Sequence, residues 1–88
     1  MVFNTLGEVF KKLKKARYGT IYMYHYRSKD QTYHMHVATH LERMRLYRKW
    51  VQLKKRKTTH TASLKQAFNR VVVAYDIDDD IFIDRSIL

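Results

Sequence analysis

Two short runs, Ile21 to Tyr26 and Tyr33 to Val37, are rich in aromatic and β-branched residues and flank Ser28-Lys29-Asp30-Gln31. That composition reads as two strands and a turn, a hairpin within residues 20–39. A two-residue loop at Lys29-Asp30 and a four-residue loop over Ser28–Gln31 give the same pairing: Tyr22 opposite Val37, Tyr24 opposite Met35, Tyr26 opposite Tyr33. Side chains alternate along a strand, so these six share one face. The other face collects Met23 with His36, His25 with His34 and Arg27 with Thr32. One face is apolar and the other polar, which supports both the hairpin and its register.

Helical patterns flank the hairpin. Thr5-Leu6-Gly7-Glu8 fits a capping box, in which Thr and Glu side chains satisfy each other's free backbone donors. Leu6, Val9, Phe10, Leu13 and Ala16 then recur at helical spacing, predicting a helix over about 5–17 with Gly19 as a stop. Its stripe needs a surface to cover, and the tyrosine face supplies one. A base-stacking role for that face is the weaker reading, and no RNP motif accompanies it. Thr39-His40-Leu41-Glu42 is a second capping box, so a helix starts at His40, with a strand through Met44–Leu53 as the alternative. Leu41, Met44, Tyr47 and Val51 line one side of that helix, and Leu46, Trp50 and Leu53 another. Leu64, Ala67, Phe68, Val71, Val72 and Tyr75 predict a third helix over 62–75, although Val71-Val72-Val73 could leave it as a strand. Asp78-Asp79-Asp80 reads as a turn. Ile81-Phe82-Ile83 reads as a short strand, pairing with the Val71–Ile77 region or with an edge of the hairpin. The expected fold is α+β: N-terminal helix, β-hairpin, one or two further helices and C-terminal short strands, a small single-layer sheet packed on helices.

Nothing divides the 88 residues into modules: there is no proline, no repeat and no low-complexity linker. A single domain over 1–88 is expected. The absence of cysteine excludes disulfides, thiolate nucleophiles and cysteine-ligated zinc, and suits a reducing compartment. No apolar run is long enough to span a bilayer and no signal peptide is evident, so no membrane association and a cytoplasmic location are expected.

Charge narrows the function. The net charge is +10, and it is unevenly spread. Residues 1–75 hold seventeen Lys and Arg against three acids, whereas residues 76–88 hold five Asp against Arg85 alone. A field of that sign on a small body attracts polyanions, and solubility alone needs far less. Arg43, Arg45, Arg48, Lys49, Lys54, Lys55, Arg56, Lys57, Lys65 and Arg70 crowd residues 43–70. Arg takes phosphates and guanine edges bidentately, Lys takes phosphates as a point charge, and Gln66 and Asn69 have the chemistry to read adenine. Two helices joined by a short turn would loosely form a helix-turn-helix with the second as reader.

Other constellations carry less. His25, His34 and His36 share a face, yet no carboxylate is an obvious partner for them, so a change of charge with pH is preferred to a metal site. Asp76-x-Asp78-x-Asp80 begins an EF-hand loop, but Ile81 replaces the required glycine and Ile87 the bidentate Glu. The acidic end is read instead as folding back to neutralise part of the basic surface. No catalytic constellation and no cofactor motif is present. Arg17-Tyr18 through Thr39, Lys49-Trp50-Val51 and a helix from Thr61 look a little like the three-strands-then-helix arm-binding domains of tyrosine recombinases. That resemblance implies a sheet inserted in the major groove.

These residues lead to a small nucleic-acid-binding accessory or regulatory protein of phage, plasmid or archaeal type. DNA is preferred to RNA, and phosphates are met through residues 43–70. Two alternatives are weighed beside it. One is a protein–protein module or inhibitor that docks an acidic partner on the same basic surface, with Leu46, Trp50 and Leu53 as its hot spot. The other is a small basic toxin-type ribonuclease. An exposed Trp50 stripe would favour a homodimer.

Overall fold

The hairpin forms in the expected register. In the computed structural model, which describes residues 1–54 and 61–88, strand β2 (Tyr22–Arg27) pairs antiparallel with β3 (Thr32–Val37). Tyr22 lies opposite Val37, Tyr24 opposite Met35, Tyr26 opposite Tyr33 and His25 opposite His34. The loop is the four-residue one. Gln31 closes it in the left-handed region at φ 58°, and Asp30 accepts a 2.7 Å hydrogen bond from the Thr32 hydroxyl.

Two further strands widen this hairpin on the side of β2, and one on the side of β3. β1 (Val2–Phe3) pairs with β3, β4 (Val72–Asp76) lies parallel to β2, and β5 (Ile81–Asp84) pairs antiparallel with β4. The sheet order is β1-β3-β2-β4-β5. Four of the five residues of β4 are buried, as expected of a parallel strand covered on both faces. A register shift between Val72 and Ala74 leaves Val73 as the extra residue of a bulge. Val73 and Ala74 therefore join one core cluster, while Val72 and Tyr75 join the other.

The sheet separates two apolar layers. Helix α1 (Leu6–Lys14) starts in the expected capping box, with Thr5 accepting from Glu8 N–H and Glu8 accepting from Thr5 N–H. It buries Val9 and Leu13 against Tyr22, Tyr24, Met35, Val73 and Ile83. Core packing is thus the role of the tyrosine face around Tyr22 and Tyr24. Burial, and after it the carboxylate of Asp76, pushes the Tyr24 hydroxyl well above its ordinary pKa. On the opposite face lie α2 (His40–Leu53) and α3 (Thr61–Val71). There Leu46, Trp50 and Phe68 pack on Ile21, Val72 and Tyr75, with the Phe68 ring centroid 5.4 Å from Tyr47 and 5.5 Å from Trp50.

Three expectations change, and two open alternatives are decided. The first helix ends at Lys14 rather than near 17, and Gly19 serves a later turn at φ 86°, where any side chain would be strained. Residues 44–53 belong to the helix expected from His40, and the alternative strand is not formed. The third helix stops at Val71, because the β-branched run that follows is taken up as strand β4, parallel to β2 and enclosed between β2 and β5. Lys49, Trp50 and Val51 lie within α2, and helices cover both faces of the sheet. The three-strands-then-helix arrangement and its groove-inserted sheet are therefore absent among the described residues. Ile81–Ile83 pairs with β4, the first of the two partners considered.

Candidate nucleic-acid interface

Those of the residues singled out for polyanion contact that are described sit on α2 and α3 or, in the case of Lys54, cap α2, and packing sorts them into three groups. Arg43 is the first. Its guanidinium donates to the carbonyl of Gly19 and to Oδ1 of Asn69, while Gly19 N–H donates to the Asn69 carbonyl at 3.2 Å. Arg43 and Asn69 therefore fasten α2, α3 and the turn before β2 to one another. The Asn69 amide oxygen expected to read a base is engaged inside the protein.

Lys49 forms the second group. Its ammonium lies 2.5 Å from Asp80 Oδ1 and 5.6 Å from the centre of the Tyr75 ring, and the Tyr75 hydroxyl donates to the same carboxylate. The ammonium, then the Tyr75 hydroxyl, holds the Asp80 carboxyl below its ordinary pKa. Hydrogen bonding to Asp80 and then to Tyr75 raises that of Lys49. Here the acidic end does fold back on the basic helix. The other aspartates of the turn are used locally. Asp76 accepts from the N–H groups of Asp78 and Asp79, and Asp78 accepts a 2.6 Å bond from Tyr26 N–H at the end of β2.

The third group is exposed: Arg45, Arg48, Lys54, Lys65 and Arg70, with Gln66 beside them. Among the described residues none of these cations has an ion pair. Helical periodicity explains the exposure. Leu46 and Trp50, one turn apart, turn inward, which carries Arg45 and Arg48 to the solvent side. On α3 the buried Phe68 does the same for Gln66 and Arg70. Lys54, which caps α2, reaches over the Trp50 ring at 5.7 Å. Lys55, Arg56 and Lys57 lie outside the described residues, as does the turn on which a helix-turn-helix reading depends.

Between α2 and α3 runs a groove of about 610 Å³, lined by His40, Arg43, Met44, Tyr47, Arg48, Lys65, Phe68 and Asn69. Its floor is apolar, its walls are cationic, and among the described residues no carboxylate lines it. His40, Met44, Tyr47 and Phe68 were not singled out for binding in the sequence. The 40/44/47 and 65/68/69 spacings put them on facing sides of two helices, a signal that becomes legible only once the helices are known to pack together.

Two other expectations meet the structure. Trp50 is 6% exposed and Leu46 5%, so both belong to the core and not to a surface hot spot or an exposed dimer stripe; of that trio Leu53 alone is exposed. Of the three histidines, His25 stacks on His34 with centroids 5.5 Å apart, while His36 Nε2 lies 3.1 Å from Glu42. Among the described residues no cluster of three His, Asp or Glu side chains could hold a metal ion, and no helix is long and apolar enough to cross a membrane. No known protein family, curated protein or solved structure matches the chain.

Proposed function

We propose that this protein binds nucleic acid, as an accessory or regulatory factor acting on DNA ahead of RNA, through the solvent side of α2 and α3. The observation that carries this reading is a charge asymmetry. From residue 40 to 75 Glu42 is the single carboxylate against ten Lys and Arg, and Glu42 itself is held by Thr39 and His36 at the start of α2. Arg45, Arg48, Lys65 and Arg70 are left exposed on neighbouring helices, with no acid to compensate them among the described residues. Cations held in that way release counterions when they meet phosphates, which is the main source of sequence-independent affinity. Gln66 and Arg70, one turn apart on α3, add groups able to reach base edges.

The test compares two quadruple variants of equal net charge. One converts Arg45, Arg48, Lys65 and Arg70 to Gln; the other converts Lys11, Lys14, Lys15 and Arg17, on the α1 side of the sheet. The reading expects the first to lose binding to a short DNA oligonucleotide by two or more orders of magnitude and the second to lose far less. Equal losses would mean that net charge alone draws the polyanion.

A further inference from the structure

We infer that the groove between α2 and α3 receives an unpaired nucleotide of a single strand, with the base on Met44 and Tyr47 and the adjoining phosphates on Arg48 and Lys65. This rests on the nucleic-acid reading above and adds the form of nucleic acid that is preferred.

The groove's volume of about 610 Å³ falls within the range of ligand-binding clefts, which join an apolar lining to a few placed polar groups. Met44 is 41% exposed at its edge, whereas Phe68 is 2% exposed and backs Tyr47 from below, at 5.4 Å between ring centroids. The floor is thus firm, and at Met44 it is open to a flat ligand. Its cationic walls come from both helices, Arg48 from α2 and Lys65 from α3, so a backbone crossing the groove meets positive charge on each side. Arg43 is fixed at the wall by Gly19 and Asn69, and such pre-ordering lowers the entropic cost of binding.

Charge complementarity makes the occupant anionic, and the apolar floor makes part of it flat and apolar. A duplex meets only half of this, because its base faces are already stacked on one another. An unpaired nucleotide meets both, since every base has a bare π-face and every residue of the strand a phosphate.

The experiment measures affinity for a single-stranded oligonucleotide and for the blunt duplex of the same length at one salt concentration. It uses the wild-type protein and two variants that each add one negative charge to an exposed position of α2, Met44→Glu in the groove and Gln52→Glu outside it. The expected result is a preference for the single strand of about tenfold or more, kept in Gln52→Glu and lost in Met44→Glu, with far-UV circular dichroism unchanged in both. Equal affinity of the wild type for the two forms, or a preference that survives Met44→Glu, would overturn the inference and leave phosphate binding standing. Binding of a polyglutamate peptide of equal length as tightly as the single strand would also overturn it, because such a chain offers the cations everything except a base. Failure to bind either nucleic acid would remove the functional reading itself.

Discussion

The Arg43 guanidinium on α2 donates to the side-chain carbonyl of Asn69 on α3, and its second arm holds the carbonyl of Gly19. A cation in the middle of a basic stretch is therefore a structural tie. Arg43→Ala leaves the Gly19 and Asn69 oxygens without that donor, and the expected cost is about 1–3 kcal/mol in chemical denaturation. Arg45→Ala and Arg48→Ala, which remove exposed side chains with no ion pair among the described residues, should change stability by less than about 0.5 kcal/mol. Equal destabilisation by all three would mean that Arg43 does not join the helices.

Phe68 carries the packing of α2 and α3 on the sheet. It is 2% exposed and touches three aromatic neighbours, with ring centroids 5.4 Å from Tyr47, 5.5 Å from Trp50 and 6.5 Å from Phe82. Phe68→Ala should cost about 3–5 kcal/mol, a large share of the stability of a domain this small. Phe68→Leu should cost much less, as judged by thermal or urea midpoints. A near-neutral Phe68→Ala would contradict the placement of α3 against the sheet.

Acid should weaken the fold through its held carboxylates. Asp80 lies below its ordinary pKa of 3.8 because of Lys49 and then Tyr75. Asp30 is lowered chiefly by Thr32 and also by Arg27 and His34, and Glu42 by the Thr39 backbone and then by His36. A depressed carboxyl contributes stability that is present above its unfolded value and is lost as pH falls through the folded one. The urea midpoint should stay nearly flat from about pH 7 to 5 and fall below about pH 4, less steeply in Asp80→Asn. On the alkaline side Lys49 and Tyr75 are both raised, so their contributions hold below about pH 10 and fade above it. An acid limb that is the same in Asp80→Asn as in the wild type would show that the Lys49 contact does not persist in solution.

How much of this was readable in the chain varied with the range of the interaction. Tyr22, Tyr24 and Met35 declare the hairpin and its buried face because strand alternation is local. Thr5 with Glu8 and Thr39 with Glu42 declare two helix starts because capping boxes are local too. The passage from α3 into β4 is different. Phe68 in the helix and Tyr75 in the strand face the same core cluster, so the apolar spacing runs on unbroken, and only the tertiary slot beside β2 decides where the helix stops. Val2 and Phe3 are too few to signal a strand, and they become one by pairing with His34 and Tyr33. Within the basic segment, sequence marks every cation alike. The contacts of Arg43 with Asn69 and of Lys49 with Asp80 separate tie points from open surface, and the groove between Arg48 and Lys65 exists only when both helices are in place.

The most direct test of phosphate contact by α2 and α3 is the salt dependence of binding. Affinity for a short DNA oligonucleotide would be measured at several salt concentrations for the wild type and for single Gln variants of Arg45, Arg48, Lys65 and Arg70. Four engaged cations predict a log–log slope of about −3 to −4, with each variant weakening binding and reducing the slope by about one unit. No binding at low salt, or a slope that none of the four substitutions changes, would contradict it.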